Sequence, residues 1–325
     1  MHAVVLHTFG PAENLRYETV PDPVPGPGQV RVAVAAAGVH AIEAVMRSGR
    51  KNVLAPPAPP LPAIFGGEVS GTVESVGEGV DPSWAGRGVV TRHGAPGGYA
   101  ELAVADVTKL HPRPEALSDE TAVAMIVTGA TALAFLDVAR LAEDDVLLVT
   151  SAAGGIGRLV VQYARARGIR TVGAAGGTVK VAAVRALDAD LAVDYDEPGW
   201  EKTVAEALGG RRVTVVLDGV GGDKARAAFG LLAPGGRFVS MGSISTVTFA
   251  PSPEELAAHE VTFVDALSLL LARPEDTPAL ERRALEAAAD GSLVPAVQTF
   301  ALAQAAAAHA ALEKRETTGK VVLVP

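Results

Sequence analysis

The stretch "VLLVTSAAGGIGRLV", residues 146–160, decides the fold. Val146–Thr150 is a short run of apolar and β-branched residues. It breaks into Ser151-Ala152-Ala153-Gly154-Gly155-Ile156-Gly157, after which Leu159, Val160 and Tyr163 share one helical face up to Gly168. In a strand–turn–helix unit of this kind, glycines let the main chain approach a pyrophosphate. The helix N-terminus then offers unpaired amides and a positive dipole end. Ser151 stands where the first glycine of the usual fingerprint would be, and Gly154 and Gly157 follow at three-residue steps. By itself such a motif is weak, because a turn that only packs helix on sheet has the same glycines.

Its flanks carry the argument further. Between residues 119 and 270, apolar runs of four to six residues alternate with helical patterns: "VLLVT", "RTVGAA", "LAVDY", "VTVVLD", "RFVSMG" and "VTFVDA". Near-continuous apolar strands suit a parallel sheet covered on both faces, and their alternation with helices predicts repeated βαβ units. Six such strands predict an α/β, doubly wound nucleotide-binding sheet. Residues 1–118 differ. They hold short β-type runs ("HAVVLH", "QVRVAVAAAG", "EVSGTVESVG", "RGVVTR", "GYAELAVA") between proline-rich pieces such as "PDPVPGPGQ" and "APPAPPLPA". Proline gives no backbone donor, so those pieces are loops or edges, and the region reads as an antiparallel, barrel-like β domain. Residues 271–325 contain two alanine-rich helical patterns and a last strand, "GKVVLVP". Leu302, Ala305 and His309 keep a helical spacing. The closing strand needs a sheet, so the chain is expected to return and complete the first domain.

The bulk properties bound the function. A chain of 325 residues suggests about two domains at roughly 150 residues each. A formal charge of −9 argues against a general nucleic-acid surface. The opening Met1-His2-Ala3-Val4 has no basic n-region, so no secretory signal is expected. Thr121–Leu136 is apolar but shorter than the roughly 20 residues a spanning helix needs, and it is read as a buried helix with its turn. With no cysteine, disulfides, cysteine–zinc sites and a thiolate nucleophile are excluded. The expectation is a cytoplasmic protein that acts on neither nucleic acid nor membrane.

The second strand suggests which dinucleotide binds. An acidic residue about 20 positions after the glycine turn would hold the ribose diol of NAD. Here the strand ends "GAAGGTVK", with Ala174 and Ala175 at that place and Lys180 beyond. Without the carboxylate there is room for a 2′-phosphate, which Lys180 would neutralise. NADPH is therefore the expected cofactor, although a solvated lysine in a first helical turn fits the same residue.

Across nearly its whole length the chain resembles the medium-chain dehydrogenase/reductase superfamily, most of all its zinc-free quinone oxidoreductase branch. The resemblance is carried, in order, by "VPDPVPGPGQVRVAVAAAGV", "GEVSGTVESVGEGV", "GGYAE", "VTGATA", "AAGGIG", "VVLDGVGG", "LLAPGGRFVSMG" and "TTGKVVLVP". It implies a GroES-like β-barrel domain (1–118, completed by 271–325) and a Rossmann domain (119–270). It also implies NADPH, and a homodimer joined along the last Rossmann strand, Val261–Ala266. By position, Thr128 lies near the nicotinamide end. Ser151, Ala153, Gly154, Gly155, Ile156 and Gly157 hold the pyrophosphate. Gly176, Lys180, Tyr195 and Arg315 surround the 2′-phosphate, and Gly219, Val220, Met241 and Gly242 line the cofactor. Gly177 departs from relatives that carry a phosphate-binding Ser there, and Thr178 is its neighbour.

Zinc-dependent relatives surround a Lewis-acid metal with Cys or Asp, His, and a further Cys or acidic residue. By position, His40 falls on the first ligand site and Gly67 on the second, with Glu68 beside it, and the structural-zinc cysteine loop is missing. No metal is expected. Hydride addition to a quinone or an α,β-unsaturated carbonyl (enone) needs less electrophilic help than alcohol oxidation, and this is the expected reaction. Two alternatives stand beside it: an enoyl reductase acting on thioesters in polyketide or fatty-acid assembly, and a low-turnover NADPH-binding redox sensor. The tyrosines that quinone reductases often carry near Val45 and Lys51 are absent, which motivates the sensor. Among protic side chains, His40 is a candidate to serve the substrate oxygen, or else a neutral ring bonding the nicotinamide ribose or backbone. His93, in the loop "TRHGAPGG", is the second candidate. Glu43 and Glu68 either orient His40 or are solvated. Val45, Met46, Leu54 and Phe263 are the expected pocket walls, and "RKNVLAPPAPPLPAIF" is read as a lid or a rigid surface connection.

Overall fold

A computed structural model of the chain describes residues 1–50, 59–92, 97–242 and 247–325. Chain contacts divide it into two units, residues 1–128, 281–290 and 295–325 in one and 129–280 and 291–294 in the other.

The first unit is built on strands β1 (His2–Leu6), β2 (Leu15–Thr19), β3 (Gln29–Val39), β4 (Ala63–Ile64), β5 (Glu68–Val76), β6 (Gly88–Arg92), β7 (Leu102–Asp106) and β8 (Leu110–Pro112). Helix α1 (Ala41–Ser48) follows β3, and α2 (Asp119–Ile126) follows β8. β3 alternates buried and half-buried residues over its first half, as one wet face requires, and is buried throughout at its C-terminal end. It pairs antiparallel with both β5 and β7, and two register shifts against β5 bend it. The small sheet runs β2-β1-β4. β2 is a strand that the sequence patterns do not announce, since three of its five residues are exposed on an edge.

The second unit opens with α3 (Thr128–Ala139). Strands β9 (Val146–Thr150), β10 (Arg170–Ala175), β11 (Leu191–Asp194), β12 (Val213–Asp218), β13 (Leu232–Ser240) and β14 (Thr262–Asp265) then alternate with helices. These are α4 (Gly155–Ala166), α5 (Thr178–Arg185), α6 (Trp200–Leu208), α7 (Gly222–Gly230), α8 (Pro253–His259), α9 (Ala266–Leu271) and α10 (Thr277–Ala289). All six expected strands are present. They form one parallel sheet in the order β11-β10-β9-β12-β13-β14, the doubly wound order whose direction reverses between β9 and β12. Its core joins Leu148, Val172, Val216, Phe238 and Phe229, with Phe238 of β13 stacked on Phe263 of β14 and Phe229 of α7 tilted against Phe238.

The chain then returns to the first unit through β15 (Val297–Ala301), α11 (Ala305–Glu313) and β16 (Lys320–Val324). β16 pairs antiparallel with β3, so the closing strand joins the first sheet, and β15 adds a parallel strand outside it. The contact boundary at 128/129 lies beyond the expected 118/119 because α2 packs on the barrel: Val123 is buried against Ala36 and Val322. The C-terminal part of α10 is likewise tied to the first unit, with Glu281 accepting from His111 at 2.9 Å. The continuous helical stretch Asp119–Ala139 passes a length-and-hydropathy test for a membrane span, yet 78% of its apolar window is buried inside the protein.

Candidate functional site

In the second unit, β9 is buried along its length and delivers the chain into a tight turn. Ser151 takes a positive φ of 56°, and the Gly154 amide donates to its carbonyl at 2.9 Å. A Cβ at Gly157 would collide with the Ser151 carbonyl oxygen and lie 2.9 Å from the Ala152 Cα. Only glycine lets the helix sit so close to the strand it follows. Gly154 is the N-cap of α4 and offers no side-chain cap, so no side chain of the turn competes for the first-turn amides. Ala153, Gly155 and Ile156 complete this turn.

Across the switch point, β12 ends at Asp218, which is 2% exposed. Its carboxylate accepts from the Thr150 hydroxyl at 2.6 Å, the Gly221 amide at 3.0 Å and the Val220 amide at 3.3 Å, while Thr150 Oγ1 accepts from the Gly219 amide at 3.0 Å. Burial raises the Asp218 carboxyl above its ordinary value, and these hydrogen bonds oppose the rise. The pair Thr150–Asp218 thus moulds the Gly219–Gly221 loop from two adjacent strand ends. Met241 donates its amide to the Asp218 carbonyl at 2.7 Å. A Cβ at Gly219 would stand 3.4 Å from Met241 Cε and 3.7 Å from Ser151 Cβ. Ser151, Gly219 and Met241 therefore meet at the carboxyl ends of β9, β12 and β13, where a doubly wound sheet binds its ligand. Gly242 follows with a φ of 87°.

At the end of β10, Tyr195 donates its amide to the Ala175 carbonyl at 3.0 Å and is buried with the sheet core. A Cβ at Gly176 would lie 2.9 Å from Tyr195 Cε2 and would collide with Asp196 Oδ2. Gly176 and Tyr195 thus lie side by side. A carboxylate also approaches from the loop after β11, where Asp196 lies against Gly176. Asp194 shapes that loop by accepting from the amides of Gly177 at 3.0 Å and Asp196 at 2.9 Å. Lys180 stands in the first turn of α5. Phe263 is half-buried, stacks on Phe238 with centroids 5.8 Å apart and packs against the sheet core.

The first unit contains a different construction. His40 is the N-cap of α1. Its Nε2 is 3.0 Å from Glu68 Oε1, and Lys320 Nζ pairs with the same oxygen while lying 3.3 Å from His40 Nδ1. Glu68 is fully buried and Lys320 nearly so. Burial alone would raise the Glu68 carboxyl, but the neighbouring His40 and Lys320 charges outweigh it and hold it at about 2. Lys320 Nζ also lies 3.2 Å from His40 Nε2, so imidazole, carboxylate and ammonium form one compact cluster. Glu43 is buried as well. It accepts from the amides of His40 (2.8 Å), Gly66 (3.1 Å) and Gly67 (3.0 Å) and from the Tyr99 hydroxyl (2.7 Å). Neither carboxylate is solvated, and both position His40. Tyr99 also meets His309 Nε2 at 3.2 Å. Burial, and then the charge of Arg47, lowers His309 to about 3. Tyr99 is pushed up by burial and the Glu43 charge.

Val45 and Met46 are half-buried on α1, and Met46 packs on the barrel core. Thr128 and Arg315 belong to the first unit, Thr128 buried and Arg315 in the left-handed region just after α11. Leu54, His93 and Lys51, with residues 51–58 of the proline-rich stretch, lie outside the described residues. Among the described residues no three His, Asp or Glu side chains converge as a metal site. Sequence reading missed the roles of Tyr99 and Lys320. Tyr99 sits within "GGYAE" and Lys320 within "TTGKVVLVP", so both were visible as motif members, but no local spacing tells that they meet.

The comparisons with known proteins agree with this architecture. Residues 26–115 match the alcohol dehydrogenase GroES-like domain, and residues 187–323 match a family described as zinc-binding dehydrogenase. A quinone oxidoreductase of Pseudomonas aeruginosa is 32% identical over 98% of this chain and 97% of its own. A 2-haloacrylate reductase of a Burkholderia species is 30% identical over 99% and 98%. The structure of an Escherichia coli quinone oxidoreductase complexed with NADPH superposes with a TM-score of 0.88 at 28% identity, covering the whole of both chains.

Proposed function

We propose, from the premise that this chain belongs to the medium-chain dehydrogenase/reductase superfamily in its quinone oxidoreductase-like branch, that it reduces a quinone or an α,β-unsaturated carbonyl with NADPH and without zinc. The observation that carries the reading is the meeting of Ser151, Gly219 and Met241 at the switch point, beside a helix N-terminus that no side chain caps. When bound, the dinucleotide supplies the hydride, and the protein supplies orientation and electrostatics.

In this reading the turn from Ser151 to Gly157 holds the pyrophosphate on the first amides of α4. Gly219, Val220, Met241 and Gly242 line the trough, and Asp218 with Thr150 keeps their loop in shape. Gly176, Lys180 and Tyr195 receive the 2′-phosphate. His40 serves the anion that develops on the acceptor, its ring held by Glu68 and Lys320. The zinc implied by one matched family does not fit this donor set. His40 and Glu68 are two donors where a tetrahedral site needs more, and Lys320 already brings a positive charge to the carboxylate. The sheet ends at β14, whose outer edge is where a second copy would pair.

The test is NADPH consumption against a panel of quinones and enones, with and without a strong chelator. Turnover that the chelator leaves unchanged is expected. Failure with every acceptor overturns the enzymatic reading, and a stoichiometric metal in the purified protein overturns the zinc-free one. His40→Ala is expected to slow turnover more than it weakens NADPH binding. An unchanged rate would assign the proton to solvent. A dimer by sedimentation, lost on introducing charge into β14, is expected.

A further inference from the structure

The carboxylate of Asp196 lies against Gly176 at the end of β10, beside the place the NADPH reading gives to the 2′-phosphate. Left uncovered, it would repel a phosphate and favour a free ribose hydroxyl. A cation from another part of the second unit meets it. Lys224, in the first turn of α7, places Nζ 3.0 Å from Asp196 Oδ1. The same ammonium donates to the Tyr195 carbonyl and lies 5.3 Å from the centre of the Tyr195 ring. One side chain thus ties down both residues that follow the acidic end of β11. Lys224 is 44 positions beyond Lys180, and no expectation from the sequence involved it.

We propose that Lys224 is a coenzyme-specificity residue. By pairing with Asp196 it offsets the carboxylate's charge, so that the pocket at Gly176 and Lys180 accepts a 2′-phosphate. This rests on the NADPH reading above and names what decides between the phosphorylated and unphosphorylated dinucleotide at that site. Lys224 works through Asp196, as a positioning residue. The side chains are 32% and 61% exposed, so solvent screens the pair and its effect is moderate.

The experiment measures NADPH and NADH affinity by calorimetry for the wild-type chain, Lys224→Met, Lys224→Arg, Asp196→Asn and the Lys224→Met/Asp196→Asn double variant. Lys224→Met is expected to weaken NADPH about fivefold, the upper range for a partly exposed ion pair, while NADH stays within about twofold. Lys224→Arg should retain the preference. The decisive arm is the double variant. If Lys224 acts by masking Asp196, removing the carboxylate restores NADPH affinity. A double variant that stays weak would mean that the ammonium touches the phosphate itself, which overturns the proposal. Equal weakening of both dinucleotides by Lys224→Met would also overturn it, by reducing Lys224 to a structural support of the Tyr195 loop. If the wild-type chain binds neither dinucleotide, the cofactor reading falls and takes this inference with it, an outcome distinct from wild-type binding that the variants do not alter.

Discussion

The two units solve the problem of building a site in opposite ways. The Rossmann unit uses main chain: glycines, amides at a helix start and loops moulded at strand ends, with Asp218 and Thr150 as the internal brace. The barrel unit uses buried charge: Glu68 between His40 and Lys320, and Glu43 saturated by three amides and a tyrosine hydroxyl. A main-chain site tolerates changes that spare its glycines. A buried-charge site depends on every partner, because an ion stripped of its counter-charge has no solvent to replace it.

The contrast can be broken, beginning with the largest effect. Glu68→Ala leaves Lys320 buried without its carboxylate, and a loss of about 3–5 kcal/mol is expected in urea unfolding. Adding Lys320→Met should recover part of it, and a Glu68→Ala loss no larger than that of a surface substitution would break the comparison. Acid is the next lever. His309 is held near 3 in the fold against an ordinary 6.5, so the unfolded chain takes up a proton there first. Stability is fully present above pH 6.5 and falls as pH drops toward 3, by about 2 kcal/mol between pH 6.5 and 5. His309→Gln should flatten that part of the urea-midpoint profile. Gly157→Ala should cost about 1–3 kcal/mol of overpacking and abolish measurable dinucleotide binding. If binding survives, the close approach of α4 to β9 is not what holds the ligand. The smallest expected effect sharpens the picture at the ribose. Lys180→Ala should weaken NADPH about tenfold and leave NADH alone. Equal losses for both dinucleotides would remove this residue from phosphate recognition.

The sheet was readable because its signals are local. Apolar runs such as Val146–Thr150 and Val213–Asp218 declare buried parallel strands, and Gly154 and Gly157 mark the turn within a few residues of the strand they follow. β2 was not readable, since an exposed edge strand lacks an apolar face, and neither was the place of α2, whose apolar surface fits either unit. At the site, Ala174 and Ala175 were correctly seen to lack a carboxylate, but local sequence could not show that Asp196 crosses over from the neighbouring strand.

What the sequence by itself determined is therefore the family, the two-unit architecture, the order of βαβ repeats and the glycine turn, all written in spacings of a few residues. What only the tertiary structure decided is which charges meet: His40 with Glu68 and Lys320, Tyr99 with Glu43 and His309, and Asp196 with Lys224. The physical reason is one of range. Hydrophobic periodicity and turn geometry act between near neighbours along the chain, whereas a buried ion pair is set by strand order and register. These bring residues 40 and 320 within hydrogen-bonding distance although 280 positions separate them.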